Sequence, residues 1–336
     1  MDSNTALAFC YTKAAGLLSK SYIKDRTSHL FNAKSLLDLW ALLFDSPVPA
    51  VPEALLADKI EKKAFKTLLT QYISFLKKYD NPSPLLLSQL RYFEIENIQM
   101  ILDSLFDGDK TPPKLIDLGG YSNVDINFYP DLEKMLQKTA YTWLHTSQKA
   151  SDKQFVEVKM DLSYIKDVWN TIEHINGEDR SLWEKLFLEE YIIKNIVWAM
   201  RLSVYYQKSK DEILEELFFV TDRADKLDPI AGPAIAILDK DPNVYEHWTN
   251  WKYKKYLNPY EGGDWKLDPS WFERRYMAHS SKYFVQFFHE HPLCEPSLVA
   301  WFKVKLFELS FIRSAVESIR LDIPPQDAMQ ALGILA

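Results

Sequence analysis

Residues 295–321 read EPSLVAWFKVKLFELSFIRSAVESIRL, and a shadow of this stretch occurs twice upstream. With Asn97 and Asn195 taken as origins and Phe311 in the same place, an aromatic stands four residues before each: Phe93, Tyr191 and Phe307. Ile95, Ile193 and Leu309 stand two before, and Ile98, Ile196 and Ile312 one after; the next turn holds Ile101, Ala199 and Ala315, then Leu102, Met200 and Val316. Offsets of −2, +1, +4 and +5 share one face of a helix and cannot share one face of a strand. One kind of buried helix therefore recurs three times, roughly a hundred residues apart. Any amphipathic core helix carries such a stripe. What marks a repeat is the aromatic common to all three copies, the asparagine at two origins, and Glu94 and Glu308 three residues before the origin in two.

The composition bounds what surrounds these helices. A chain of 336 residues can bury a substantial core and hold more than one lobe. Its net charge of −7 disfavours a nucleic-acid partner. Two cysteines, Cys10 and Cys294, supply no disulfide framework and fit a reducing compartment. Apolar runs are far shorter than a membrane span, and the opening MDSNTALAF lacks a basic segment followed by an apolar one. A soluble, cytosolic protein is expected, free to sit on a membrane complex. Only nine glycines interrupt the sequence, so long uninterrupted segments favour an all-α fold.

Breakers divide the chain. Helices are expected over residues 6–24 and 28–44, closed by the corner Pro47, Pro49 and Pro52, where interior helix hydrogen bonds cannot continue. A long amphipathic helix follows over 55–79, and Pro84 opens the first motif helix, to about 106. The segment 107–129, with Pro112, Pro113, Gly119 and Gly120, reads as a linker. Helix resumes after Pro130, pauses near 147–153, and continues through Val168; the second motif helix spans 181–206 and a short one runs from 209 to about 219. A second linker, 222–242, precedes helices over 244–257 and 269–289, the third motif helix over 297–320, and a short closing helix from Pro324. The repeats divide the chain into 1–118, 119–223 and 224–336, with the N-terminal helices able to pack with the third lobe.

Phe272 and Glu273 leading a long helix into PLCEPSLVAWFKVKLFELSFIR make a pattern similar to the C-terminal signature of the V-type ATPase rotor subunit called C in prokaryotes and d in eukaryotes. There a Pro-rich turn precedes an apolar helix bearing a glutamate, an Asn-Ile or similar pair and a basic residue, matched by Glu308, Ile312 and Arg313. YTKAAGLLSKSYI, HLFNAKSLLDLW and FEIENI at 93–98 resemble the N-terminal half of that family. The chain departs from the family pattern at Phe311, where asparagine is usual, at Ala15, near a usual arginine, and in lacking a glycine after the third motif helix. The resemblance implies three similar helical lobes in a pseudo-threefold funnel, seated on the cytoplasmic face of the membrane proteolipid ring and receiving the tip of the central axle. It implies torque transmission without chemistry, with axle subunits and ring as partners and no direct small-molecule substrate.

The residues offer little else for chemistry. Neither GxxxxGK[ST] nor GxGxxG occurs, so the usual phosphate cradles are absent, and no HExxH is present. His289, Glu290, His291 and Cys294 could bring three zinc ligands together, but they span a helix end and a proline turn and read as a capping cluster. No catalytic residue, cofactor or metal is expected. Trp248, Trp251, Lys252, Tyr253, Lys254, Lys255 and Tyr256 interleave aromatic and basic types as a nucleic-acid stacking platform would. A solvated basic face over a core stripe explains them better in an acidic chain, and the family adds a third reading, with Lys252, Lys254 and Lys255 facing the ring or lipid headgroups. Glu94, Glu308, Asn97 and Asn195 sit within apolar helices and are expected to bond neighbouring helix ends or loops. Two other classes stay open. A helical-repeat adaptor binding peptides has periods of a few tens of residues rather than a hundred, and an all-α enzyme has no convergent constellation here.

Overall fold

The computed structural model describes residues 1–145, 153–260 and 262–334. Every regular element among them is helical. Thirteen α-helices run in order: α1 Ser3–Leu18, α2 Thr27–Phe31, α3 Leu36–Leu43, α4 Glu53–Leu76, α5 Pro84–Phe106, α6 Leu132–Met135, α7 Lys153–Glu173, α8 Glu178–Val204, α9 Lys210–Glu215, α10 Gly232–Ile237, α11 Pro269–Glu290, α12 Glu295–Arg320 and α13 Pro325–Ala331. The three motif helices are α5, α8 and α12.

The chain divides into two compact units, one comprising Met1–Asp80, Ile196–Ile213 and Ala234–Ala336, the other Asn81–Asn195 and Leu214–Pro233. In the first, α12 is the central element, packed by α1, α2, α4 and α11. Its stripe from Leu298 to Val316 is buried, with Trp301 and Phe302 fully enclosed. Phe302 meets Tyr72 at 4.4 Å between ring centroids and Trp301 meets Phe75 at 5.0 Å, so α4 and α12 are joined through aromatic faces. Fully burying one such side chain contributes about 1.5–3 kcal/mol, which makes this seam a principal source of the unit's stability. In the second unit α5 packs on α7. Ile95, Ile98, Ile101 and Leu102 close over Leu132, Met135, Leu136, Val156 and Met160, and Ser83 caps α5 by accepting the Leu86 amide.

Long periodic segments form the expected helices; the shorter ones differ for local reasons. The region 6–24 stops at Leu18, and 28–44 breaks into α2 and α3 because the Ser35 hydroxyl accepts the Asp38 amide at 3.1 Å and starts a new helix. After Pro130 only α6 forms: the Thr139 hydroxyl donates to the Leu136 carbonyl and accepts the Tyr141 amide, diverting the backbone into turns. The pause expected at 147–153 falls almost wholly outside the described residues. The segment 244–257 is not a helix but two single 3-10 turns, Tyr245–Trp248 and Lys254–Tyr256. Trp248, Tyr253 and Tyr256 are all buried, and side chains five residues apart cannot share one helix face. The 222–242 linker contains α10.

Candidate functional site

The asparagines at the repeat origins each tie down a loop. Asn97, 1% exposed in α5, donates from Nδ2 to the Ile116 carbonyl at 2.9 Å and accepts the Ile116 amide on Oδ1 at 2.7 Å. Asn195, fully buried in α8, donates to the carbonyls of Phe218 at 2.8 Å and Ile230 at 3.0 Å and accepts the Phe218 amide at 2.9 Å. A carboxamide is the one uncharged side-chain group that presents a donor and an acceptor side by side, as a strand neighbour would. It can therefore satisfy both backbone groups of a residue that enters the core without secondary structure. Phe311 occupies the third origin and packs instead into an apolar cluster with Leu30, Leu39 and Ile60.

The glutamates add a second tie. Glu94 accepts both from Arg91, three residues earlier, and from the backbone amide of Asn123, with the Ser122 hydroxyl at 3.3 Å. Glu308 likewise pairs with Lys305, three residues earlier, and accepts the Tyr22 amide at 2.6 Å. In both copies a helix-borne carboxylate is neutralised from its own helix and turned onto a loop N–H, so neither charge is buried alone. The middle copy carries Ile192 at that position. There the carboxylate comes from the loop itself. Asp228, 2% exposed, accepts the amides of Val220, Thr221, Ile230 and Ala231 and the Thr221 hydroxyl, all at 2.8–2.9 Å.

The three motif helices also end alike. Gly108, Gln207 and Asp322 each take a left-handed conformation with φ of 75°, 51° and 54°. Beyond them the amides of Asp109 and Ile323 reach back to Ser104 and Ser318, at equivalent positions, and that of Lys208 to Leu202. This is a reverse-turn cap that satisfies otherwise orphaned helix carbonyls. Asp322 supplies the left-handed residue where the family's glycine is missing.

Of the other residues singled out in the sequence, Phe93, Tyr191, Ile98, Ile196 and Ile312 are buried and Phe307 is half-buried, stacked on Phe284 at 5.9 Å. Arg313 is largely exposed and its Nε lies 3.6 Å from a Glu61 oxygen, an exposed ion pair of small energetic weight. Lys252, Lys254 and Lys255 point to solvent above the buried Tyr253 and Tyr256. The ammonium groups of Lys252 and Lys255 lie 4.8 Å from the ring centres of those neighbouring tyrosines. The sequence reading missed Arg91, Lys305 and Asp228. The first two were legible as a basic residue three before each glutamate; Asp228 was not, because nothing local marks which loop acid turns inward.

Among the described residues no group of three or more His, Cys, Asp and Glu is placed to hold a metal ion. Cys294 approaches the His291 carbonyl at 3.2 Å and the Ser297 hydroxyl at 3.1 Å at the start of α12. Burial pushes the Cys10 thiol up to about 11, against the weaker opposing pull of Lys78 and Lys13, so it stays protonated and poorly nucleophilic. No described helix is long and apolar enough to cross a membrane. The geometry is that of a scaffold whose loops are bonded to its longest helices.

The family profile described as ATP synthase (C/AC39) subunit matches residues 16–331. An uncharacterised protein of Treponema pallidum (strain Nichols) is 24% identical over 322 residues, covering 95% of this chain and 94% of its own length.

Proposed function

The chain belongs to the ATP synthase (C/AC39) subunit family, and we propose on that premise that it is the non-catalytic connector of a V-type rotary ATPase. It sits peripherally on the cytoplasmic face of the proteolipid ring, receives the central axle of the soluble head, and passes rotation between them. ATP hydrolysis or synthesis is thereby coupled to proton or sodium movement. The observation that carries this reading is a family match running nearly end to end, from residue 16 to residue 331.

The physical chemistry supports the role. A part that carries torque must resist shear, and loops are where a helical protein yields first. Here buried side chains of α5, α8 and α12 hold loop backbone through Asn97, Asn195, Glu94 and Glu308. The recurrence of this device in α5, α8 and α12 supports three related helical repeats, read from the sequence as 1–118, 119–223 and 224–336. Its third instance ties the N-terminal segment at Tyr22 to α12, as a chain whose beginning completes its last lobe requires. Lys252, Lys254 and Lys255 form a rim facing ring loops or lipid headgroups; reversing all three to glutamate is expected to weaken attachment to the ring and pump coupling.

The test is purification of the tagged chain from its host membranes. Catalytic, shaft and proteolipid subunits are expected to copurify with it, and its deletion is expected to abolish ATP-driven ion transport while the detached head still hydrolyses ATP. Recovery of the chain alone with transport intact, or ATP turnover by the isolated chain, would overturn the proposal.

A further inference from the structure

In the first unit, α11, α13 and the turn after Leu257 surround an open cleft of about 620 Å³, large enough for a small ligand. Its walls carry Leu257, Pro259, Trp271, Arg274, Arg275 and Asp327. Two guanidinium groups here lack acceptors. The Arg274 and Arg275 guanidinium groups make no hydrogen bond or ion pair among the described residues, and neither reaches Asp327 on the opposite wall. Opposite charges that line one cleft without meeting leave room for something that bridges them.

The charges specify the bridge. Two guanidinium forks suit an oxyanion, and a phosphate monoester dianion matches their two positive charges where a carboxylate supplies one negative charge. Two arginines and one aspartate leave one net positive charge. A phosphate monoester dianion bearing one ammonium group has one net negative charge and places a cationic donor toward Asp327. We infer that this cleft binds a small amphoteric phosphate monoester, its phosphoryl group held by Arg274 and Arg275 and its primary amine by Asp327. Leu257 and Pro259 cover the connecting carbons. A free aminoalkyl phosphate has this chemistry, whereas the ethanolamine headgroup of a phospholipid, a phosphodiester with a single negative charge, does not. The inference stands apart from the rotor reading.

The probes are O-phosphoethanolamine, inorganic phosphate and ethanolamine, by titration calorimetry and thermal shift on the full chain, with sedimentation on phosphatidylethanolamine-containing vesicles. O-phosphoethanolamine is expected to bind and the vesicles are not, and Arg274→Gln with Arg275→Gln is expected to weaken that binding about tenfold or more, the equivalent of one charge-assisted bond. Asp327→Asn is expected to erase the preference for O-phosphoethanolamine over phosphate while leaving phosphate binding intact. If the double arginine variant does not fold, Arg275→Lys, which keeps the charge and loses the fork, carries the test by the same titrations and is expected to weaken binding. Binding to vesicles but not to the free compound would overturn the assignment to a monoester dianion. Absence of binding by every probe at about 10 mM, where even affinities of about −3 kcal/mol register, refutes the site. So does binding that is indifferent to these substitutions.

Discussion

Replacing Asn195 with leucine isolates the loop tie from every other feature of α8. The wild-type amide serves the Phe218 carbonyl, the Phe218 amide and the Ile230 carbonyl, at 2.8, 2.9 and 3.0 Å, from a residue with no exposed surface. Asn195→Leu leaves these three backbone groups without that partner. Each buried group so orphaned costs about 1–3 kcal/mol, and the added apolar surface of leucine returns about 1–2 kcal/mol. A net loss of about 3–5 kcal/mol is expected. With a urea slope of about 2 kcal/mol per molar, the midpoint for the unit containing this loop falls by about 2 M with the slope unchanged. Native-state hydrogen exchange gives a local readout: the Phe218 amide is expected to lose protection well before the amides in the middle of α5. Asn195→Asp keeps the acceptor but turns a buried carboxylate oxygen onto the Phe218 and Ile230 carbonyls, so at neutral pH it is expected to cost at least as much as leucine. A leucine variant that loses less than about 1 kcal/mol and keeps Phe218 protected would refute the reasoning, since it would mean that the loop is held by its apolar contacts alone.

Four further outcomes follow from the geometry. Glu308→Ala strands Lys305 and the Tyr22 amide in a mostly buried site, and a loss of about 3–5 kcal/mol is expected in denaturant unfolding. Asp322→Gly relieves a left-handed residue of its Cβ and is expected to gain about 0.5–1 kcal/mol, visible as a small rise in Tm. Gly232→Ala puts a methyl 2.6 Å from the Lys226 carbonyl oxygen, and a loss of about 1–3 kcal/mol in the same unfolding assay is expected as the backbone shifts. Burial, reinforced by Lys255 and Lys282, holds the His279 imidazole below its ordinary range. The unfolded chain therefore takes up this proton first: stability is unaffected above pH 6.5, falls as pH drops from there toward the folded value, and levels below it. His279→Gln should remove that part of the decline in a Tm-versus-pH series.

The glutamates and asparagines in apolar helices were visible as polar groups in need of partners, because burial is written in the periodicity around them. Their partners were not visible. Ile116, Asn123, Phe218 and Tyr22 offer only backbone atoms, which every residue has. The basic and aromatic run at 248–256 was misread as a helix because its composition suits one, and only the core it lies on decides that its aromatic residues turn inward together.

What the sequence determined by itself was the set of long helices and the buried face of each, since 3.6-residue periodicity and proline boundaries act within a few turns of chain. Tertiary structure alone decided where the loops are tied, why Asp228 can stand in for the glutamate missing at Ile192, and where short segments abandon helix for single turns. Those outcomes depend on which backbone groups are brought together from distant parts of the chain, and a hydrogen bond between residues 286 positions apart, as between Tyr22 and Glu308, leaves no local trace.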